Sequence, residues 1–210
     1  KFWSIFLQNA KLLNQPLNDI EFVIVDVETT NAKPSNQYII DIALIKVVNF
    51  QQEDKFNTLV KPRVQIDPII SNITNITNSM VQNAPYFNEI RTYVKYFIGN
   101  SVLVGHNVAF DKRALDTEYK RYDDPPLTNL TLDTLKLSQK LFPNQPKRSL
   151  NTMCKLLNIE HKNRHRALGD TLATFELFNV LVKTAMENNN IKTLKELYKF
   201  LNVKFEQIHN

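Results

Sequence analysis

A chain of 210 residues, 43% hydrophobic and 22% charged, is long enough for one globular domain with a sizeable core, or for one domain and an attached segment. Its single cysteine, Cys154, excludes an internal disulfide framework and fits a reducing compartment, and no apolar run is long enough to span a bilayer. The net charge of +5, with a pI of about 9.2, leans toward polyanionic partners.

Residues 2–14 mix apolar and polar positions and predict a short helix. This opening has a basic start but lacks the sustained apolar stretch and small-residue cleavage site of a signal peptide. The absence of an initiator Met suggests an excised fragment or a processed chain. The β-branched and aromatic run Glu21–Val27 predicts a strand, and Gln37–Asn49 and Phe56–Val60 predict two more. Joined by the polar segment Gln51–Lys55, they form a three-stranded meander. Lys61–Pro85, rich in Pro and Asn, predicts a long irregular connection.

Beyond it, strands and helices alternate. A helix is predicted at Phe87–Ile98, a short buried strand at Val102–Val104, a helix at Phe110–Tyr122 and a strand at Leu130–Leu132. The next helix runs to about Phe142 and is broken by Pro143–Lys147. Ser149 is a good N-cap for a helix through Leu157, which places Cys154 at helical spacing among apolar neighbours, as a core residue. A long helix follows at Ala167–Met186. After the soft stretch Asn188–Asn190, the segment Ile191–Val203 is amphipathic. Meander first, alternation second, points to an α/β domain with a mixed sheet.

Five residues stand out against this frame. Asp26 and Glu28, in FVIVDVETT, are two apart on a strand and therefore share a face at its C-terminal end, where α/β sheets commonly place ligands. Taken alone, such a pair is more often solvated. Here Thr29, Thr30 and Asn31 follow, offering hydroxyls and a turn beside the carboxylates. Asp111 closes GHNVAFD at a helix start, favourable with the helix dipole in any protein; His106 orients that loop, and Asn107 can hold the turn that places Asp111. His165 and Asp170 share RHRALGD, with His165 on a loop and Asp170 in the first turns of a helix. Converging carboxylates cannot all stay ionised without cations, and a histidine beside them is a base that titrates near neutral pH.

The three segments DVETT, GHNVAFD and HRALGD resemble, in order and spacing, the three motifs of the DnaQ-like 3′–5′ exonucleases in their histidine-bearing DEDDh branch. TNITNSMVQNAP and LNTMCKLLNI resemble, more narrowly, the proofreading exonuclease of PolC-type bacterial DNA polymerase III and the related epsilon subunit. Asn31 and Asn75 stand where that family usually has Gly; Asn is the residue other than Gly most at ease with positive φ.

The resemblance implies a ribonuclease H-like, mixed five-stranded sheet flanked by helices. It divides the chain into a helical extension over 1–20, the exonuclease domain over 21–187 and a helical segment over 188–210, docked or starting a linker. It implies two divalent cations, Mg²⁺ or Mn²⁺, with Asp26 bridging them, Glu28 and Asp170 completing one site and Asp111 helping to hold the other. His165 would be the general base. Thr29, Thr30, Asn107 and the loop at Ile76 would grip the last nucleotide. Arg166, with Lys162 and Arg164 nearby, would meet the strand's phosphates, the alternative being a solvated basic loop. The expected activity is release of nucleoside 5′-monophosphates from single-stranded 3′ ends of DNA, proofreading for a replicative polymerase in cis or in trans, in a bacterial cytoplasm. An exoribonuclease of the same fold and a non-catalytic binding module are the alternatives.

Overall fold

In the computed structural model, which describes residues 9–31 and 36–203, the run Phe22–Thr29 is the central strand, β1, of a five-stranded sheet. The run of apolar residues in β1 explains the place: a strand covered on both faces reads as a continuous apolar run rather than an alternation. β2 (Ile39–Val48) and β3 (Gln51–Leu59) lie antiparallel on one side, while β4 (Val102–Gly105) and β5 (Thr131–Asp133) lie parallel on the other. The order is β3-β2-β1-β4-β5.

Helices cover both faces. A helical segment at 9–14 (α1) enters the fold; the rest of the helix expected over 2–14 lies outside the described residues. Between β3 and β4 come α2 (Pro68–Thr74), α3 (Asn78–Val81) and α4 (Phe87–Ile98). The later elements are α5 (Val108–Lys120), α6 (Thr134–Leu141), α7 (Leu150–Leu156), α8 (Ala167–Asn189) and α9 (Leu194–Phe200). Phe22 and Ile24 of β1 pack with Phe178 and Leu181 of α8, and with Leu194, Leu197 and Tyr198 of α9, in one core cluster. Val23, Val25 and Val27 point the other way, into a second cluster with Val94 of α4 and Leu115 and Tyr119 of α5. By that alternation Asp26 and Glu28 lie on the α8 side.

Two stretches differ from the sequence expectation. Gln51–Lys55, read as a polar link, belongs to β3, whose first five residues are all exposed. β3 is the sheet edge, so backbone pairing to β2 specifies it and no apolar face marks it. Lys61–Pro85, read as irregular, contains α2 and α3. Each begins with a side-chain cap, Asp67 accepting from the Ile69 N–H and Thr77 from the Met80 N–H. α2 ends on Asn75 at φ 57°, the left-handed conformation anticipated for that Asn.

Gly169 in the first turn of α8 is required by close approach. A Cβ there would lie 2.4 Å from the carbonyl oxygens of both Lys162 and Asn163. Gly169→Ala is therefore expected to destabilise the protein by about 1–3 kcal/mol, because backbone rather than a flexible side-chain tip must move. A urea midpoint unchanged from wild type would refute this packing account.

Candidate active site

β1 outruns its parallel neighbour. Pairing with β4 stops at Ile24↔Val104, and beyond it the Val27 N–H donates to Asp111 Oδ1 at 3.1 Å. Asp111 is itself buried at the start of α5. The turn before it is built from polar contacts. Asn107 takes φ 76°, and its N–H donates to the Asp133 carboxylate at 2.9 Å. His106 sits in that turn with Nδ1 2.9 Å from the Thr134 hydroxyl and Nε2 2.8 Å from the Arg148 carbonyl, so both ring nitrogens are engaged in holding the loop. Gly105 leaves room for this: a Cβ there would come within 3.2 Å of Asp111 Oδ2.

The opposite wall comes from α8. Asp41, which faces Glu28 across the β1–β2 pair, accepts from Arg166 Nε at 2.9 Å and from the Ala167 N–H at 3.2 Å. This buried carboxylate ties β2 to the N-terminus of α8, a favourable place for negative charge. The helix so fixed presents Asp170 toward β1. Ligand atoms of Glu28, His165 and Asp170 all lie within 4.8 Å of one another. His165 is exposed on the preceding loop, in the left-handed region at φ 59°.

The electrostatics of this arrangement favour a cation. Burial pushes the Asp26 carboxyl well above the usual carboxylate range, and the charges of Asp111, Asp170, Glu28 and Asp41 push it further. Burial likewise raises Asp111, against the lowering effect of the N–H donated by Val27. Glu28 is pushed up to about 8 by burial, then by Asp170 and Asp41, with Arg166 pulling it back. Oxygen donors crowded in this way, with one histidine, suit a hard divalent cation. Asp26, Glu28, Asp111 and Asp170 are the residues that would hold it.

A pH dependence follows. Glu28 has a folded-state value, about 8, above its ordinary value of 4.5. Its contribution to the metal-free protein is therefore fully present below about pH 4.5 and is lost as pH rises through about 8, by an amount on the order of a few kcal/mol. Buried His106, whose value is lowered, acts in the opposite sense. In EDTA, wild type is expected to lose melting temperature between about pH 5 and 8 relative to Glu28→Gln, which keeps His106. Parallel curves for the two proteins would contradict this.

Several residues expected to touch substrate are committed to the fold. The Thr29 hydroxyl donates to the Asn31 carbonyl at 2.9 Å, and the Thr30 hydroxyl accepts the Tyr38 N–H at 3.1 Å. Both threonines are buried, so they shape the turn after β1 and do not offer open hydroxyls. Ile76 is fully buried with Ile40, Ile66 and Val81, so its side chain packs into the core beneath its loop. The exposed apolar side chains of that segment are instead Ile69, Ile73 and Met80. The Asn107 side chain is exposed beside the site. Arg166, half-buried, bonds Asp41. Arg148 donates to the carbonyls of Phe142 and Pro143, and so holds its own loop. Cys154 is buried and its thiol is pushed up to about 11, as befits a core residue.

Two residues at the site were not anticipated. Asp41 has a readable signal, a lone acid inside the apolar run Ile39–Val48, where a buried charge requires a partner. His161 approaches Asp170, with Nε2 2.6 Å from Oδ1.

A mixed sheet of this order, with carboxylates at the end of its central strand, is the ribonuclease H-like architecture. The chain belongs to the exonuclease family: the RNase_T exonuclease family model matches residues 23–178. It is 37% identical over 192 residues to the PolC-type DNA polymerase III of Staphylococcus epidermidis, an alignment that covers 89% of this chain and 13% of that protein. The chain thus spans about an eighth of the length of that relative. Among solved structures, exonuclease X in complex with 5′-overhanging duplex DNA shares the fold with a TM-score of 0.67 and 24% identity, covering 86% of this chain and 99% of that one. Escherichia coli exonuclease I in complex with a dT13 oligonucleotide does so with a TM-score of 0.70 and 22% identity, covering 82% and 43%. Among the described residues no helix is long and apolar enough to cross a membrane.

Proposed function

We propose that this chain is a 3′–5′ exonuclease domain that hydrolyses the terminal phosphodiester of single-stranded DNA and releases nucleoside 5′-monophosphates, proofreading for a replicative DNA polymerase. The observation that carries the reading is the convergence of Glu28, His165 and Asp170 within 4.8 Å, with the buried Asp26 pushed up further by the charges of Asp111, Asp170 and Glu28. The likeness to a PolC-type polymerase supports DNA as substrate and a polymerase as partner, in cis or in trans.

Two divalent cations, Mg²⁺ or Mn²⁺, would when bound neutralise the crowded carboxylates and stabilise the charge that develops at phosphorus. Asp26 would be shared between them, Glu28 and Asp170 would complete one site, and Asp111 would hold the other. His165 takes the proton from the attacking water; exposed on its loop, it is open to solvent for returning that proton. The turn at Thr29 and Thr30 and the exposed Asn107 would border the last nucleotide, and the exposed Ile73 and Met80 near Ile76 in sequence would offer it apolar surface.

The test is a pair of matched 5′-labelled single strands, one DNA and one RNA, with Mg²⁺ or Mn²⁺ and with EDTA. Stepwise shortening of the DNA, abolished by EDTA, is expected. Preference for RNA would replace the proposal by an exoribonuclease, and no cleavage of either strand by a non-catalytic binding module.

A further inference from the structure

The loop between α7 and α8 brings a second histidine to the site. His161 keeps only 6% of its side chain exposed, and its Nε2 lies 2.6 Å from Asp170 Oδ1. With the Asp170 carboxylate as acceptor, Nε2 is the donor. The other ring nitrogen, Nδ1, is buried and has no hydrogen-bond partner among the described residues. The imidazole therefore occupies a buried position in which the carboxylate of Asp170 is its hydrogen-bonding contact. A buried polar ring with one nitrogen unpaired is unfavourable for stability alone.

The backbone holds that ring in place. The Ile159 N–H donates to the Cys154 carbonyl at 2.8 Å on one side of His161. On the other, the carbonyls of Lys162 and Asn163 rest against Gly169, one residue before Asp170. Asn163 takes φ 50°, and its carbonyl accepts the Arg166 N–H at 3.2 Å. Imidazole and carboxylate thus meet from two backbone segments that are locked together, so the hydrogen bond fixes the Asp170 carboxylate in one orientation. Oδ1 is bonded to His161, which leaves Oδ2 without that bond, and a carboxylate oxygen of Asp170 lies within 4.8 Å of ligand atoms of Glu28 and His165.

We propose that His161 is a positioning residue for the cation site: its Nε2–H holds Asp170 by Oδ1, presents the other oxygen to the cation, and so sets how tightly the site binds a divalent ion. Hydrogen bonds that orient metal-binding carboxylates contribute about 10–100-fold in affinity when they are removed singly. The inference rests on the proposed function for the identity of the site, but it makes a separate claim about which residue tunes it. His161 takes no part in the chemical step, which belongs to His165.

The test is Mn²⁺ titration followed by the loss of the free-ion EPR signal, on the full chain, for wild type, His161→Ala and His161→Gln. His161→Ala is expected to bind Mn²⁺ about 10–100-fold more weakly. His161→Gln, whose amide Nε2 can still donate to Oδ1, is expected to recover a large part of that loss. A merely structural histidine would not show this rescue: both variants would lose melting temperature alike and affinity alike. Unchanged affinity in His161→Ala, or equal loss in both variants, overturns the inference. Should His161→Ala fail to fold, wild-type affinity against His161→Gln remains decisive, a deficit beyond 100-fold in the Gln variant being contradictory. Wild type that binds no Mn²⁺ at all would instead sink the reading of the site itself.

Discussion

Asp26→Asn is expected to remove nuclease activity, lowering kcat/KM by three orders of magnitude or more, and to stabilise the metal-free protein. Losing a cation-binding carboxylate withdraws charge stabilisation of several kcal/mol from the transition state, and roughly 4 kcal/mol corresponds to about a thousandfold in rate. The opposite effect on stability comes from the same charges. Asp26 is raised by burial and by four neighbouring carboxylates, so in EDTA its ionisation opposes folding. Asn has the same shape without the charge. A gain of roughly 1–3 kcal/mol, read as several degrees in melting temperature, is expected. A lower melting temperature for Asp26→Asn in EDTA at neutral pH would contradict the electrostatic account, whatever happened to turnover.

His165→Asn is expected to cut kcat by about 10²–10⁴-fold, the contribution of a positioned general base. Its expected effect on stability is small. His165 is exposed, and Asn adopts its left-handed backbone, φ 59°, with less strain than most side chains. Stopped-flow turnover at saturating Mn²⁺ gives the rate, and EPR titration gives cation affinity. Affinity within a few-fold of wild type fits a base. A loss of affinity matching the loss of rate would make His165 a cation ligand, which its place among Glu28 and Asp170 also permits geometrically.

Much of the site was legible because its chemistry is written in local spacing. Asp26 and Glu28 on one strand face, and Asp170 in the first turns of α8, need only the periods of strand and helix. β1 was legible because it is buried on both faces. β3 was not, since Gln51–Lys55 at the sheet edge are exposed and carry no apolar alternation. α2 and α3 were hidden by their brevity and their Asn-rich sequence, although Asp67 before Pro68 was a readable cap followed by Pro at N1. The partners of buried groups were the least accessible. Arg166 meets Asp41 across 125 residues and Val27 meets Asp111 across 84, and no local period reports such pairs. For the same reason the intramolecular partners of the Thr29, Thr30 and Ile76 side chains, in the turn and the core, were not readable from the sequence.

On the proposed function, these carboxylates and this histidine form a cation-dependent hydrolytic site that works from a 3′ end. Its most direct test is a single-stranded oligodeoxynucleotide labelled differently at its two ends, digested with Mg²⁺ and resolved by mass. The account predicts that the 3′ label leaves first, as a nucleoside 5′-monophosphate, and that Asp26→Asn releases none. Release of the 5′ label first, nucleoside 3′-monophosphates as product, or undiminished digestion in EDTA would contradict it.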